Sequence, residues 1–198
     1  MKTNEHIGSV AWLNARLTME VLTTARIQIV DDLVSVILLA AVSNANTSHL
    51  DARPDLSQRY LAVGSVTDDL RRPAAVSSLA RSLGVPRETA RGKAHDLIAQ
   101  GLIEMAPDGL ILRSDALQAD PIRSASGAFM ESIERFILGL ARMEVCGLDE
   151  TWTLAAPTPE VQWGALRLVT ANMLRSIAHV MDLAPDMSPL SAYIMLAV

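Results

Sequence analysis

Arg81, Arg87, Arg91 and Lys93 crowd into or beside SSLARSLGVPRETARGKAHDLIAQGLI, residues 77–103 of a chain whose formal net charge is −5. Counting back to Arg71 and Arg72, six cationic side chains meet one acid, Glu88, so residues 71–93 carry +5. A charge run that only solvates a surface would alternate the two signs. Unopposed guanidinium groups instead suit phosphate, and Arg87, Glu88 and Arg91 add selectivity. An Arg fork donates two hydrogen bonds to the edge of guanine, and a Glu carboxylate accepts one from the amino group of cytosine. The acidic overall balance, with a pI near 5.3, does not decide the matter, because the field that attracts phosphate is local.

These side chains need a rigid element to hold them outward. Ser77 is placed to cap a short helix, SLARSL, which ends at Gly84, a residue that takes positive φ at little cost. Pro86 then stands at a favoured first helical position, and a second helix runs to Gln100 before Gly101 stops it. Two helices joined by a tight Gly turn make a helix-turn-helix. Leu79, Leu83 and Val85 are expected to meet Ala90, Ala94 and Leu97 along a buried seam, the last three lying within about 60° of one another on a helical wheel. Ala80 and Gly84 are small enough for the helices to approach closely. Glu88, Gly92, His95 and Ala99 point away from the seam, with Arg91 beside them and Arg87 free in the first turn. Beyond Gly101, LIEMAPDGLILR reads as two strands around the turn residues Pro107, Asp108 and Gly109, a hairpin in the place of a wing.

A helix in the major groove reads bases mainly near its N-terminus. Arg87, Glu88 and Arg91 are therefore the expected base contacts, with Gly92 letting the backbone approach and His95 one turn further on. Arg71, Arg72, Ser77, Arg81 and Lys93 are the expected phosphate contacts, which add affinity without reading sequence.

The run SLARSLGVPRETARGKAHDLIAQGLIEMAPDGLIL resembles the winged helix-turn-helix of bacterial transcriptional regulators, especially the catabolite-activator and GntR types. In them an R-E-T near the start of the recognition helix and a G-L-I leading into the wing recur. The resemblance covers about forty residues and implies base contacts by Arg87 and Glu88. The chain departs from the pattern at Gly92, where catabolite-activator-type helices often carry another base-reading Arg. It departs again at Lys93, which usually is apolar. Nothing outside this segment resembles a cyclic-nucleotide domain.

The flanking regions read as helix. Half of the 198 residues are apolar but only 4% are aromatic, and the apolar set is rich in Ala, Leu, Val and Met, which favours helices over strands. Residues 7–30 repeat Val10, Leu13, Leu17, Val21, Leu22 and Ile29 near the 3.6-residue period. Asp31 and Asp32 offer a cap to LVSVILLAAVSNAN, a helix apolar on nearly every side and so central to a core. Residues 47–70 are an insertion with a short helix after Pro54, a turn or cap near Thr67 and Asp68, and no assigned chemistry. Further on, Phe129, Ile133, Phe136, Ile137 and Leu140 share one helix face, and Val161, Leu166, Val169, Met173, Ile177 and Val180 share another. The last segment opens with Ser188 and Pro189 and stops inside an apolar run. Its likeness to residues 31–42 leaves two readings open. One is chance similarity between Ala/Leu/Val helices. The other is a duplication whose second winged unit is missing here.

Other signals are weak. Cys146, the single cysteine, reads as a small buried residue in a reducing compartment. His6, His49, His95 and His179 lack metal-ligand spacing, and neither metal nor cofactor is expected. SHLD, at Ser48, His49 and Asp51, holds the letters of a catalytic triad without its geometry. GVPRETARGKA lacks phosphate-loop spacing. The longest apolar run, residues 33–42, is about half a membrane span, and the N-terminus lacks a signal-peptide core. Trp12, Trp152 and Trp163, with the methionines, are read mainly as core, with an effector pocket as the rival reading.

The expected protein is mainly α-helical, with a winged helix-turn-helix at 31–115, an N-terminal helix at 1–30 and a helical region at 116–198. It is expected to be a cytoplasmic, homodimeric regulator of transcription that binds double-stranded DNA, with no membrane and no catalysis. A symmetric dimer places two recognition helices about one DNA turn, roughly 34 Å, apart. A protein-docking winged helix without DNA binding is the alternative, and an ordinary helical bundle would share the pattern. An enzyme would require titratable groups converging in a pocket between residues 120 and 198.

Overall fold

The helix LVSVILLAAVSNANT is the centre of the molecule because almost every face of it is apolar. In the computed structural model, which describes residues 6–50, 66–144 and 159–183 together with Arg53, Asp55 and Ser191, it spans Leu33–Thr47 (α2). Asp32 starts it, its carboxylate accepting from the Ser35 N–H at 2.7 Å. Before it runs α1, Ile7–Gln28. After it come α3 (Val76–Ser82), α4 (Arg87–Ala99), β1 (Glu104–Ala106), β2 (Gly109–Ile111), the single turn α5 (Ser114–Leu117), α6 (Asp120–Arg142) and α7 (Pro159–Leu183). The architecture is mainly α-helical, with a two-stranded antiparallel hairpin, and is of the winged-helix type, flanked by N- and C-terminal helices.

Side chains of α2 reach every neighbour. Val36, Ile37, Leu38, Ala41 and Val42 are buried in a core that continues through Leu17, Val21 and Leu22 of α1, Leu97 of α4, Leu110 of β2, Phe129 and Ile133 of α6 and Met173 and Ile177 of α7. The window Leu33–Leu50 is apolar enough by composition to resemble a membrane span, with mean hydropathy 1.4. Its apolar side chains are nonetheless largely consumed by this core.

The hairpin pairs Glu104 with Ile111, Met105 with Leu110 and Ala106 with Gly109. Ala74 adds an isolated bridge to Leu110 on the other edge, with reciprocal backbone hydrogen bonds of 2.9 Å. Gly109, expected in the turn, instead opens β2 at φ 141°. A Cβ there would overlap the Ala74 carbonyl, so the third strand segment fits only against a glycine. Gly84 takes φ 61° between α3 and α4 as expected.

One polar side chain ties these pieces together. Asn46, fully buried on α2, donates through Nδ2 to the carbonyls of Arg72 (2.8 Å) and Leu110 (3.1 Å) and accepts the Leu112 N–H at Oδ1 (2.8 Å). Two acceptors on one side and one donor on the other leave the amide a single orientation.

Several expectations need correction or lie elsewhere. Ser77 does not cap α3. The chain stays extended through the Ala74 bridge, so Ala75 becomes the N-cap without a side-chain bond and Ser77 falls exposed in the first turn. Pro86 is the N-cap of α4 rather than its first residue. The helix after Pro54, Cys146, Trp152, the segment opening at Ser188 and Pro189, and the side chains of Val161 and Trp163 lie outside the described residues.

Candidate nucleic-acid interface

The seam between α3 and α4 decides which side chains face outward. Leu79, Ala80, Leu83, Ala90, Ala94 and Leu97 are all buried. With Ala90, Ala94 and Leu97 turned inward, the 3.6-residue period carries Glu88, Gly92, His95 and Ala99 to the opposite face and Arg91 to its flank, while Arg87, in line with the seam by period, is free because it stands at the start of the helix; each of them is exposed. All five expected base-reading residues are thus solvent-facing on α4.

Arg91 and Glu88 also pair with each other there, Nη2 to Oε2 at 2.8 Å, with both side chains about three-quarters exposed (73% and 74%). A pair that open to solvent is worth little, so it presets two side chains at small cost when they exchange one another for a new partner. Gly92 meets nothing within 4 Å of where a Cβ would stand. Among the described residues no packing requires a glycine at that position, although glycine is a poor helix former.

The expected phosphate contacts divide. Arg72, Ser77 and Arg81 are exposed, and neither arginine is in an ion pair among the described residues. Arg71 is not available to a phosphate. Its side chain is 2% exposed and its Nε lies 3.3 Å from the Asp68 carboxylate. Burial pushes the Arg71 guanidinium below its usual value, and Asp68 opposes the shift. Lys93 stays partly exposed (31%) but is paired, its Nζ 3.1 Å from Asp32 at the N-cap of α2. The explanation is geometric. Arg71 precedes the strand segment that packs under the wing, and Lys93 lies on the flank of α4 that faces α2.

The sequence marks both acids only as capping or turn residues, and their pairing with these cations emerges only from the fold. Burial alone would raise the Asp68 carboxyl, but the Ser114 N–H (2.8 Å) and hydroxyl, Arg113 and Arg71 outweigh it and hold the group below its ordinary value. Asp32 behaves in the same way. Burial is outweighed by Ser35, through its N–H and hydroxyl at 2.7 Å each, and by Lys93. Arg113, after β2, leans on Asp68 (3.5 Å), Glu104 (3.7 Å) and Asp115 (3.9 Å), so the base of the wing is a charge network. A clue was present in Asp-Asp before an apolar helix and Asp-Asp-Leu-Arg-Arg before the motif, but the fold was needed to match acids to bases.

Away from α4, a cleft of about 1110 Å³ opens between α1, α6 and α7, walled by Val10, Leu17, Ile133, Phe136, Ile137 and Val169 among others. Trp12, expected mainly in the core with a pocket wall as the rival reading, is instead 61% exposed with the Arg16 guanidinium 5.6 Å above its ring. Among the described residues no three His, Cys, Asp or Glu side chains converge as a metal site would require.

No family model matches the chain, and no curated protein or solved structure matches it either.

Proposed function

We propose that this protein binds double-stranded DNA through α4 and its wing and regulates transcription by occupying DNA, without catalysis. The observation that carries the reading is the outward face of α4. Arg87, Glu88, Arg91, Gly92 and His95 are exposed on a helix braced from behind by α2 and α3. In the proposed mode α4 enters the major groove, Arg87 and Arg91 take guanine edges, Glu88 takes a cytosine amino group, and Arg72, Ser77 and Arg81 hold phosphates. Met105, 61% exposed on β1, travels with the wing beside the duplex.

The acting form is proposed to be a cytoplasmic homodimer joined by the terminal helices, where Ile7, Trp12 and Leu168 leave apolar surface open. Such a dimer gives two copies of α4 to a two-fold site. With Arg71 and Lys93 withdrawn, Arg72 and Arg81 give about four phosphate contacts per dimer, hence a slope of log K against log salt near −3.6.

Mobility shifts of genomic fragments across a salt series test the reading. Retardation should weaken with salt and vanish in Arg87→Ala, while the circular dichroism of the variant stays that of the parent. Salt-insensitive retardation, or retardation unchanged in Arg87→Ala and Arg91→Ala together, would refute it.

A further inference from the structure

A groove of about 480 Å³ runs between α2, α3 and α7, with no described residue of α4 in its walls. Its floor is hydrocarbon. Leu79, Leu83 and Ile177 are buried there, and Ala45 and Leu174 are half-buried beside them. Its rim is polar, with Ser48, Ser82 and Arg175 exposed and Asn44 half-buried. A concave volume of roughly 300–1,000 Å³ with an apolar floor and a few polar groups is the usual form of a small-molecule site.

Charge decides what kind of molecule the groove suits. Arg175 is the single charged side chain among the described residues that line it. Its Nε donates to the Ala171 carbonyl at 3.2 Å, which lays the side chain along its own helix, and it joins no ion pair among the described residues. The Nη groups are therefore not neutralised by an acid of this chain's described part. The Ser82 hydroxyl already donates to the Leu79 carbonyl at 2.9 Å, so Asn44 and Ser48 supply the neutral donors of the rim.

We propose that this groove binds an amphipathic organic monoanion, a carboxylate carried on an aryl or alkyl body. The carboxylate takes the guanidinium of Arg175, whose planar fork suits two oxygens in one plane. The apolar body lies against Leu79, Leu83 and Leu174. Arg175 disfavours an amine, and a polyanion finds no second cation among the lining residues described. The occupant would touch α2, α3 and α7 together, so it would fasten the helix-turn-helix to the C-terminal helix. The site does not depend on the DNA reading and stands if that reading fails.

Titration calorimetry of the full chain with phenylbutyrate, its neutral amide and the cation phenylbutylamine tests the proposal. Phenylbutyrate should bind with a Kd of about 1 mM or tighter, the amide about fivefold more weakly and the amine more weakly still. Arg175→Gln, at an exposed position, should bring the anion to the level of the amide and leave the amide unchanged, a pattern that loss of folding would not produce. Ala178→Phe, on the exposed rim, narrows the groove and should weaken anion and amide alike by about fivefold or more. If Ala178→Phe fails to fold, Arg175→Gln and the amide comparison still decide. Absence of phenylbutyrate binding, equal affinity for anion and amide, or anion binding unchanged in either folded variant overturns the site.

Discussion

Two groups of basic residues leave the same stretch of chain and meet opposite fates. Arg87 and Arg91 are both exposed on α4, one without an ion pair among the described residues and the other held by an exposed acid on its own helix. Arg71 and Lys93, as cationic and as near in sequence, are instead taken up by Asp68 and Asp32, the first buried and the second partly exposed. The difference lies in what each backbone segment is fastened to. Among the described residues the outer face of α4 is fastened to nothing, because Ala90, Ala94 and Leu97 have taken the inward direction. The inner cations sit at the joints between α4, α2 and the wing, where an acid is within reach. Clustered charge therefore reports two properties at once, a surface field and the fastening of the element that displays it.

The largest effect should come from the joint itself. Asn46→Ala removes three hydrogen bonds and strands the Leu112 N–H in the interior. With an unsatisfied buried donor costing roughly 1–3 kcal/mol and two carbonyls losing a partner besides, the expected loss is about 3 kcal/mol. Urea denaturation reads it directly. A loss under about 0.5 kcal/mol, the level of an ordinary surface change, would mean that the wing is not held by this amide.

Arg71→Met and Arg87→Ala set the two groups against each other. Arg71→Met deletes a buried guanidinium together with its contact to Asp68 and should cost about 2 kcal/mol. Arg87→Ala should leave stability within about 0.5 kcal/mol while removing DNA retention. If the outcomes are reversed, with Arg87 the stabilising residue, the division between outward and inward cations is wrong.

How much of this was legible beforehand follows the same division. The seam residues, the Gly84 turn, the Asp32 cap and the outward set on α4 are all local, each set by helical period or by the conformational habit of one residue. They agree with the structure. What was missed needed contacts between distant positions. Asn46 reaches Leu110 and Leu112 across more than sixty residues, and Asp68 reaches Ser114 across forty-six. An Asn late in an apolar helix looks like a fraying end until the wing lies over it. Ser77 shows the reverse error. A good capping residue lost its place because the Ala74 bridge to Leu110 determined where the extended chain could first turn into a helix.

Acid should loosen the inner group before it harms the helices. Asp68, Asp32 and Glu20, the last through Arg135 and Arg16, all lie below their ordinary values of 3.8, 3.8 and 4.5 despite burial that would raise them. A carboxyl group lowered by folding stabilises fully above its unfolded value, and the benefit disappears as pH falls through the folded value. Thermal midpoints should therefore be level above about pH 5 and decline below it, with partial exposure of all three groups keeping the decline modest. Asp68→Asn and Asp32→Asn should flatten the profile. If the double variant declines as steeply as the parent, these joints do not carry the acid sensitivity.

The smallest expected effect is the sharpest probe of the outer face. Gly92 lies inside α4 with open space where its side chain would be, so Gly92→Ala should raise stability by about 0.5–1 kcal/mol through helix propensity alone. Among the described residues nothing opposes that gain. On the DNA reading, the more stable variant should bind more weakly, since the new methyl group stands between the helix and the groove floor. Chemical denaturation and mobility shift on the same preparation measure the two signs together. A variant that is both more stable and equally retained would remove Gly92 from the interface and leave recognition to Arg87, Glu88 and Arg91, whereas opposite signs would place the helix axis close against the bases at its second turn.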